Sequence, residues 1–116
     1  MHSEREEDRV RSQHIVTSCE RIRHYVAGRT SAEFLADQMA RDAVERNLEI
    51  ISEASRHLSQ SLKERLRHIL WRDWAGLGNV YRHQYDDLVA DRLWDAITED
   101  IPILLRTLRP EAGTAV

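Results

Sequence analysis

From Asp37 to Leu58 the chain has neither proline nor glycine, and Ala43, Val44, Leu48, Ile51 and Ala54 recur at helical spacing. A helix with one apolar stripe cannot cover itself, so such a stretch commits the chain to packing against other elements. The neighbours carry the same period. Ile15, Cys19, Ile22 and Val26 follow at spacings of 4, 3 and 4, and Gly28 supplies a stop that places the first helix end near Ala27. No strand-type alternation and no internal repeat is present. Three stretches have capping-box spacing, a hydroxyl followed three residues later by a carboxylate: Ser3-Glu-Arg-Glu6, Thr30-Ser-Ala-Glu33 and Ser61-Leu-Lys-Glu64.

These signals order the elements. The first box opens helix one or frays with the charged N-terminus. The second opens a short helix carrying Phe34, Leu35 and Met39, which runs into, or kinks against, the long helix after Asp37. Ser59-Gln-Ser61 interrupts the pattern, and the third box starts a short helix from Leu62 to about Leu70. Trp71 through Asp73 then turns the chain, with Asp73 the N-cap of a further helix. Gly76 and Gly78 each weaken that helix by about 1 kcal/mol relative to alanine, which suggests close approach by another helix or a partner chain. Asp86-Asp87 ends the segment. The last helix carries Leu93, Trp94, Ile97, Ile101, Leu104, Leu105 and Leu108, with Pro102 kinking or ending it. The expected fold is all-α, an up-and-down bundle of four main helices plus a short one. We expect a single domain over residues 1–116, with its core at 10–109 and a loose tail at 110–116.

Composition removes several functions. A net charge of −3 argues against a general nucleic-acid binder, although a local patch around Arg72 and Arg82 can meet a phosphate. The single cysteine, Cys19, excludes an intramolecular disulfide and, on the apolar stripe of helix one, reads as core. The charged start does not resemble a signal peptide, and no apolar run approaches the roughly 20 residues needed to cross a bilayer. The expectation is a cytoplasmic protein with no membrane partner. Histidines at 2, 14, 24, 57, 68 and 83 form no i, i+4 pair, so neither a metal nor a cofactor is expected.

Chemistry concentrates in Trp71-Arg-Asp-Trp-Ala-Gly-Leu-Gly-Asn-Val-Tyr-Arg-His-Gln-Tyr85. His83 can take and give a proton near neutral pH, and Arg82 beside it can stabilise an anion. His83 and Tyr85 diverge by about 200° on a continuous helix. If the helix ends near His83 the following residues can curl back so that both rings line one pocket; the alternative is that the two cap the end of the helix, hydrogen-bonded and inert. Asn47 and Glu53 fall at the edge of the long helix's apolar stripe, either solvated there or directed at the His83 region.

Arg41-Asp-Ala-Val-Glu-Arg-Asn-Leu-Glu-Ile-Ile-Ser-Glu-Ala54 resembles the third-helix signature of the HepT-like branch of the HEPN superfamily. The 71–85 stretch, followed by Leu93-Trp94 and Ile101-Pro102, is similar to that branch as well, so the likeness runs over roughly residues 10 to 109. It implies a HEPN-like helical bundle that forms a homodimer. It also implies a toxin that cleaves RNA without metal and is paired with a minimal nucleotidyltransferase antitoxin. The family motif is an arginine, four residues, a histidine, any residue and a tyrosine. The histidine falls on His83 and the tyrosine on Tyr85, which the resemblance makes the residue the partner adenylylates. The arginine position falls on Gly78. Arg82 or Arg72, from the same or a second chain, is then the substitute that steadies the phosphate. Asn79, Asn47 and Glu53 match polar positions that orient the site. The alternative is a weak or inactive module that docks onto a nucleotidyltransferase.

Overall fold

Side chains close the open amides at four helix starts, and two of those caps, Ser3 and Thr30, are the ones the sequence signals name. In the computed structural model, which describes the backbone of residues 3–83 and 87–113 and the side chains of 3–77 and 91–113, α1 (Glu4–Val26) begins at Ser3, whose Oγ accepts from the Glu6 amide at 3.1 Å. It ends as anticipated: Gly28 takes a φ of +73°, a conformation that side chains with a Cβ rarely adopt. At α2 (Ser31–Ala36) the Thr30–Glu33 capping box is complete in both directions. Asp37 then separates α2 from α3 (Gln38–Arg56) and caps it, accepting from the Ala40 amide at 3.1 Å.

The next two starts differ from expectation. The cap of α4 (Gln60–Arg65) is Ser59, not Ser61: the Ser61 hydroxyl donates to Glu4 of α1 at 2.8 Å, while Ser59, whose amide donates to Asp8 of α1 at 2.8 Å, accepts from the Leu62 amide at 3.2 Å. That helix stops at Arg65 rather than near Leu70. No turn separates Trp71 from Asp73; α5 (Trp71–His83) starts at Trp71, and Asp73 lies in its first turn, where a carboxylate favours the positive helix end. Trp71 and Trp74 are 9% and 8% exposed, so both indoles must share the buried face, which requires helix from Trp71 onward.

α6 (Asp87–Asp95) passes through a π-helical turn, Ala96–Asp100, into α7 (Ile101–Leu108). Pro102 therefore sits in the first turn of a new helix, where its missing N–H costs nothing. The preceding wide turn is closed by the Ile101 amide on the Ala96 carbonyl. Residues 110–113, expected as a loose tail, are pinned: Gln13 Nε2 donates to the Ala112 carbonyl at 3.0 Å, and Arg65 pairs with Glu111 at 2.6 Å.

The fold is an all-α, HEPN-like bundle. α3 packs on both α1 and α5, and α7 packs on α1. Ile15 and Ile22 of α1, Val44 and Ile51 of α3, and Leu104 and Leu108 of α7 are fully buried in the shared core. Cys19 joins them, and burial pushes its thiol up to about 12. No described helix is long and apolar enough to cross a membrane.

Gly76 does not fit the expected close approach within the chain: a Cβ there meets nothing within 4 Å. Gly76→Ala should therefore stabilise the fold by about 1 kcal/mol, while Gly28→Ala, at positive φ, should destabilise it by about 1 kcal/mol. Urea unfolding of the two variants checks this, and shifts of the same sign would contradict the assignment.

Candidate functional site

α5 divides into a buried and a bare face. Trp71, Trp74 and Leu77 turn inward three residues apart, and the Trp71 indole donates to the Leu66 carbonyl at 3.2 Å. Arg72 and Gly76 are exposed on the opposite side. Positions 72, 76, 79 and 83 follow at spacings of 4, 3 and 4, one stripe of this helix, whose described residues run to His83.

What holds α5 in place is polar. The Ala75 carbonyl accepts from Ser52 Oγ of α3 at 2.6 Å and from the Arg56 guanidinium at 2.7 Å. Arg56 also donates to Ser52 Oγ at 3.0 Å and to Glu53. α5 thus begins beside the C-terminal end of α3 and packs back along it. His83 lies eight residues beyond Ala75, about 12 Å further, a rise that on α3 corresponds to positions near 44–48.

The side chains of Asn79, Arg82 and His83, and Tyr85 altogether, lie outside the described residues. Arg72 is eleven residues before His83 on one helix, about 16 Å along the axis. Within one chain it therefore cannot share a single phosphate with His83. Glu53 is exposed, bound to Arg56 and to His57 at 3.0 Å, and reaches α5 only through Arg56. Asn47 is buried but sits about 140° around α3 from Ser52, away from the flank that meets α5. Its Nδ2 donates to the Ala43 carbonyl at 2.9 Å, and its Oδ1 has no hydrogen-bond partner.

The flank of α3 toward α5 carries other residues: Arg41, Glu45, Glu49, Ser52 and Arg56, spaced 4, 4, 3 and 4. That second, polar stripe was present in the sequence, but beside the stronger apolar stripe it reads as a solvated face. Burial, with Asp42 and Glu49 nearby, pushes the Glu45 carboxyl above the usual range despite Arg41. Arg41 Nε is buried without a hydrogen-bond partner. Arg41 and Glu45 thus stand near the level of the C-terminal end of α5. Among the described residues, no group of three or more His, Cys, Asp or Glu is placed to hold a metal ion.

Comparison with known proteins agrees with this architecture. The chain matches the family described as Ribonuclease HepT-like over residues 15–110. It is 32% identical over 91 residues to a Methanocaldococcus jannaschii protein named a gamma-glutamylcyclotransferase and candidate RNase, covering 78% of this chain and 41% of that protein. A second protein of that organism, named a candidate RNase, is 39% identical over 70 residues, covering 60% and 64%. A Thermococcus cleftensis protein named probable ribonuclease HepT is 38% identical over 72 residues, covering 62% and 66%. The matched part of the chain spans less than two thirds of each of these relatives. No solved structure matches significantly.

Because the Ala75 carbonyl ties α5 to α3, Ser52→Ala should cost about 1 kcal/mol in urea unfolding. Arg56→Gln, whose side chain is 48% exposed, should cost less. An unchanged midpoint for Ser52→Ala would show that packing alone seats α5.

Proposed function

The chain belongs to the Ribonuclease HepT-like family, and from that membership we propose that it is a toxin-type ribonuclease. The observation that carries the reading is the family match across residues 15–110, which includes the whole of α5 with His83 at its end. In the proposed reaction His83 takes the proton of a ribose 2′-OH, the 2′ oxygen bonds to the adjacent phosphorus, and the bond to the 5′ oxygen breaks. That oxygen leaves as a hydroxyl, taking a proton from water or from the protonated His83, and the other product is a 2′,3′-cyclic phosphate. No metal ion is required, because the nucleophile is generated by a base alone.

The phosphate still needs positive charge as it passes through its crowded intermediate. Gly78 offers none. Arg82, next to His83 in sequence, is one source in this proposal. Arg41, half-buried on the α3 flank that meets α5, is a second. Arg72 serves the site of its own chain only from a distance; in a homodimer it reaches the partner's phosphate instead. Asn79 is assigned the orientation of His83. Tyr85 is assigned the role of acceptor for adenylylation by a minimal nucleotidyltransferase antitoxin, which adds bulk and negative charge beside the RNA site. The cytoplasm is the compartment in which these partners meet.

Gly78 at the arginine position supports a second reading, a module that has lost cleavage and docks onto a nucleotidyltransferase.

Purified protein assayed on RNA in excess chelator separates the two. We expect cleavage by the wild type and a loss of about 10²–10⁴-fold in His83→Ala, the usual contribution of general acid–base catalysis. Cleavage by neither, with both variants folded and binding a nucleotidyltransferase, selects the docking module.

A further inference from the structure

An open groove of about 730 Å³ lies between α4 and the start of α5. Gln60, Lys63, Glu64, Arg67, Trp71 and Arg72 line it. Its charge is unusual for this chain. The protein carries −3 overall, yet this groove gathers its only lysine and two arginines against one carboxylate, and Gln60 Nε2 reaches that carboxylate at 3.4 Å. No described residue forms an ion pair with Lys63, Arg67 or Arg72. Several guanidinium groups elsewhere do have a carboxylate partner, among them Arg29 with Asp37, Arg65 with Glu111 and Arg11 with Glu7. A bundle does not need three such cations in one concavity, and their mutual repulsion works slightly against the fold.

The groove also has a direction. Arg72 belongs both to it and to the bare stripe of α5, and Gly76 beyond it leaves the helix surface open, with nothing within 4 Å of the place a Cβ would occupy. That stripe leads to His83, about 16 Å away. At roughly 3.4 Å per stacked nucleotide, the distance corresponds to about five nucleotides.

We propose that the groove between α4 and α5 holds the phosphates of a single RNA strand about five nucleotides from the bond cleaved at His83, with Lys63, Arg67 and Arg72 gripping them. The inference rests on the ribonuclease reading and adds to it a remote anchor. Remote binding of this kind lets a chain with net negative charge hold a polyanion through a local field. It also gives Arg72 a role that its distance from His83 allows.

The test measures RNA binding by fluorescence anisotropy in the full-length His83→Ala protein, which cannot cut the probe. The probes are single-stranded RNAs of about 4 and about 20 nucleotides. The Lys63→Glu/Arg67→Glu double variant should bind the longer RNA about ten-fold more weakly. Its plot of log affinity against log salt should be shallower by about 1.4, because each phosphate that is no longer neutralised removes ~0.7 from the slope. Binding of the short RNA should not change. Lys63→Gln/Arg67→Gln, a gentler pair of changes, should weaken binding of the longer RNA in the same direction by a smaller factor, and circular dichroism confirms that each variant is folded.

Unchanged affinity and slope for the longer RNA overturn the proposal, as expected if the groove instead receives an acidic protein. Equally weakened binding of both RNAs also overturns it, because that result indicates a general field rather than an anchored strand. Cleavage assays in the His83-containing protein keep the two levels apart. A protein that cuts RNA but ignores the double substitution refutes the groove alone; one that neither cuts nor binds RNA refutes the ribonuclease reading too.

Discussion

One carbonyl oxygen organises the functional half of this molecule. Ala75 lies in the interior of α5, yet its oxygen accepts from both Ser52 and Arg56 of α3. Dispersion and apolar burial would seat α5 on α3 over a range of axial positions, because they have little directional preference. Two directed hydrogen bonds on a single atom remove that freedom. They set the height of α5 relative to α3, and with it the level at which the helix ends. The end of the described α5, at His83, and the polar flank of α3 are set at one level by the same pair of bonds.

The scaffold behind this junction is apolar and shared. α3 is covered by both α1 and α5, and α7 packs on α1 to complete the same core. Small residues permit the close polar approach on the α5 side: Ser52 and Ser55 are buried, and each finds a partner, the Ser55 hydroxyl donating to the Ser52 carbonyl at 2.8 Å. Phe34 of α2 closes one end against Trp94, with ring centroids 5.6 Å apart. The N-terminal half of α1 is tied down separately, by Asp8 to Ser59 and by Glu4 to Ser61. Those bonds also decide where α4 begins, and so shape one wall of the cationic groove.

Charge is distributed unevenly for a protein of this composition. Several exposed guanidinium groups sit against carboxylates, as Arg29 does on Asp37 and Arg65 on Glu111, while the concavity between α4 and α5 gathers Lys63, Arg67 and Arg72 with one carboxylate, Glu64. The half-buried Arg41 and Glu45 form a second polar region on α3.

Much of this was readable in one dimension. The helix period, the Thr30–Glu33 box, the Gly28 stop and the capping Ser3 all depend on residues within one or two turns of each other, so local physics decides them. The all-α class follows from those signals, and the family motif places the histidine by sequence alone. Tertiary structure decided what depends on distant partners. The cap of α4 is Ser59 because Asp8, 51 residues earlier, engages it. α5 begins at Trp71 because two indoles must reach one core, and residues 110–113 dock because Gln13 lies across from them. The same reasoning separates the site residues. Spacing could nominate Arg72, Asn47 and Glu53, but only the packing of α5 on α3 shows which face each occupies and how far Arg72 stands from His83.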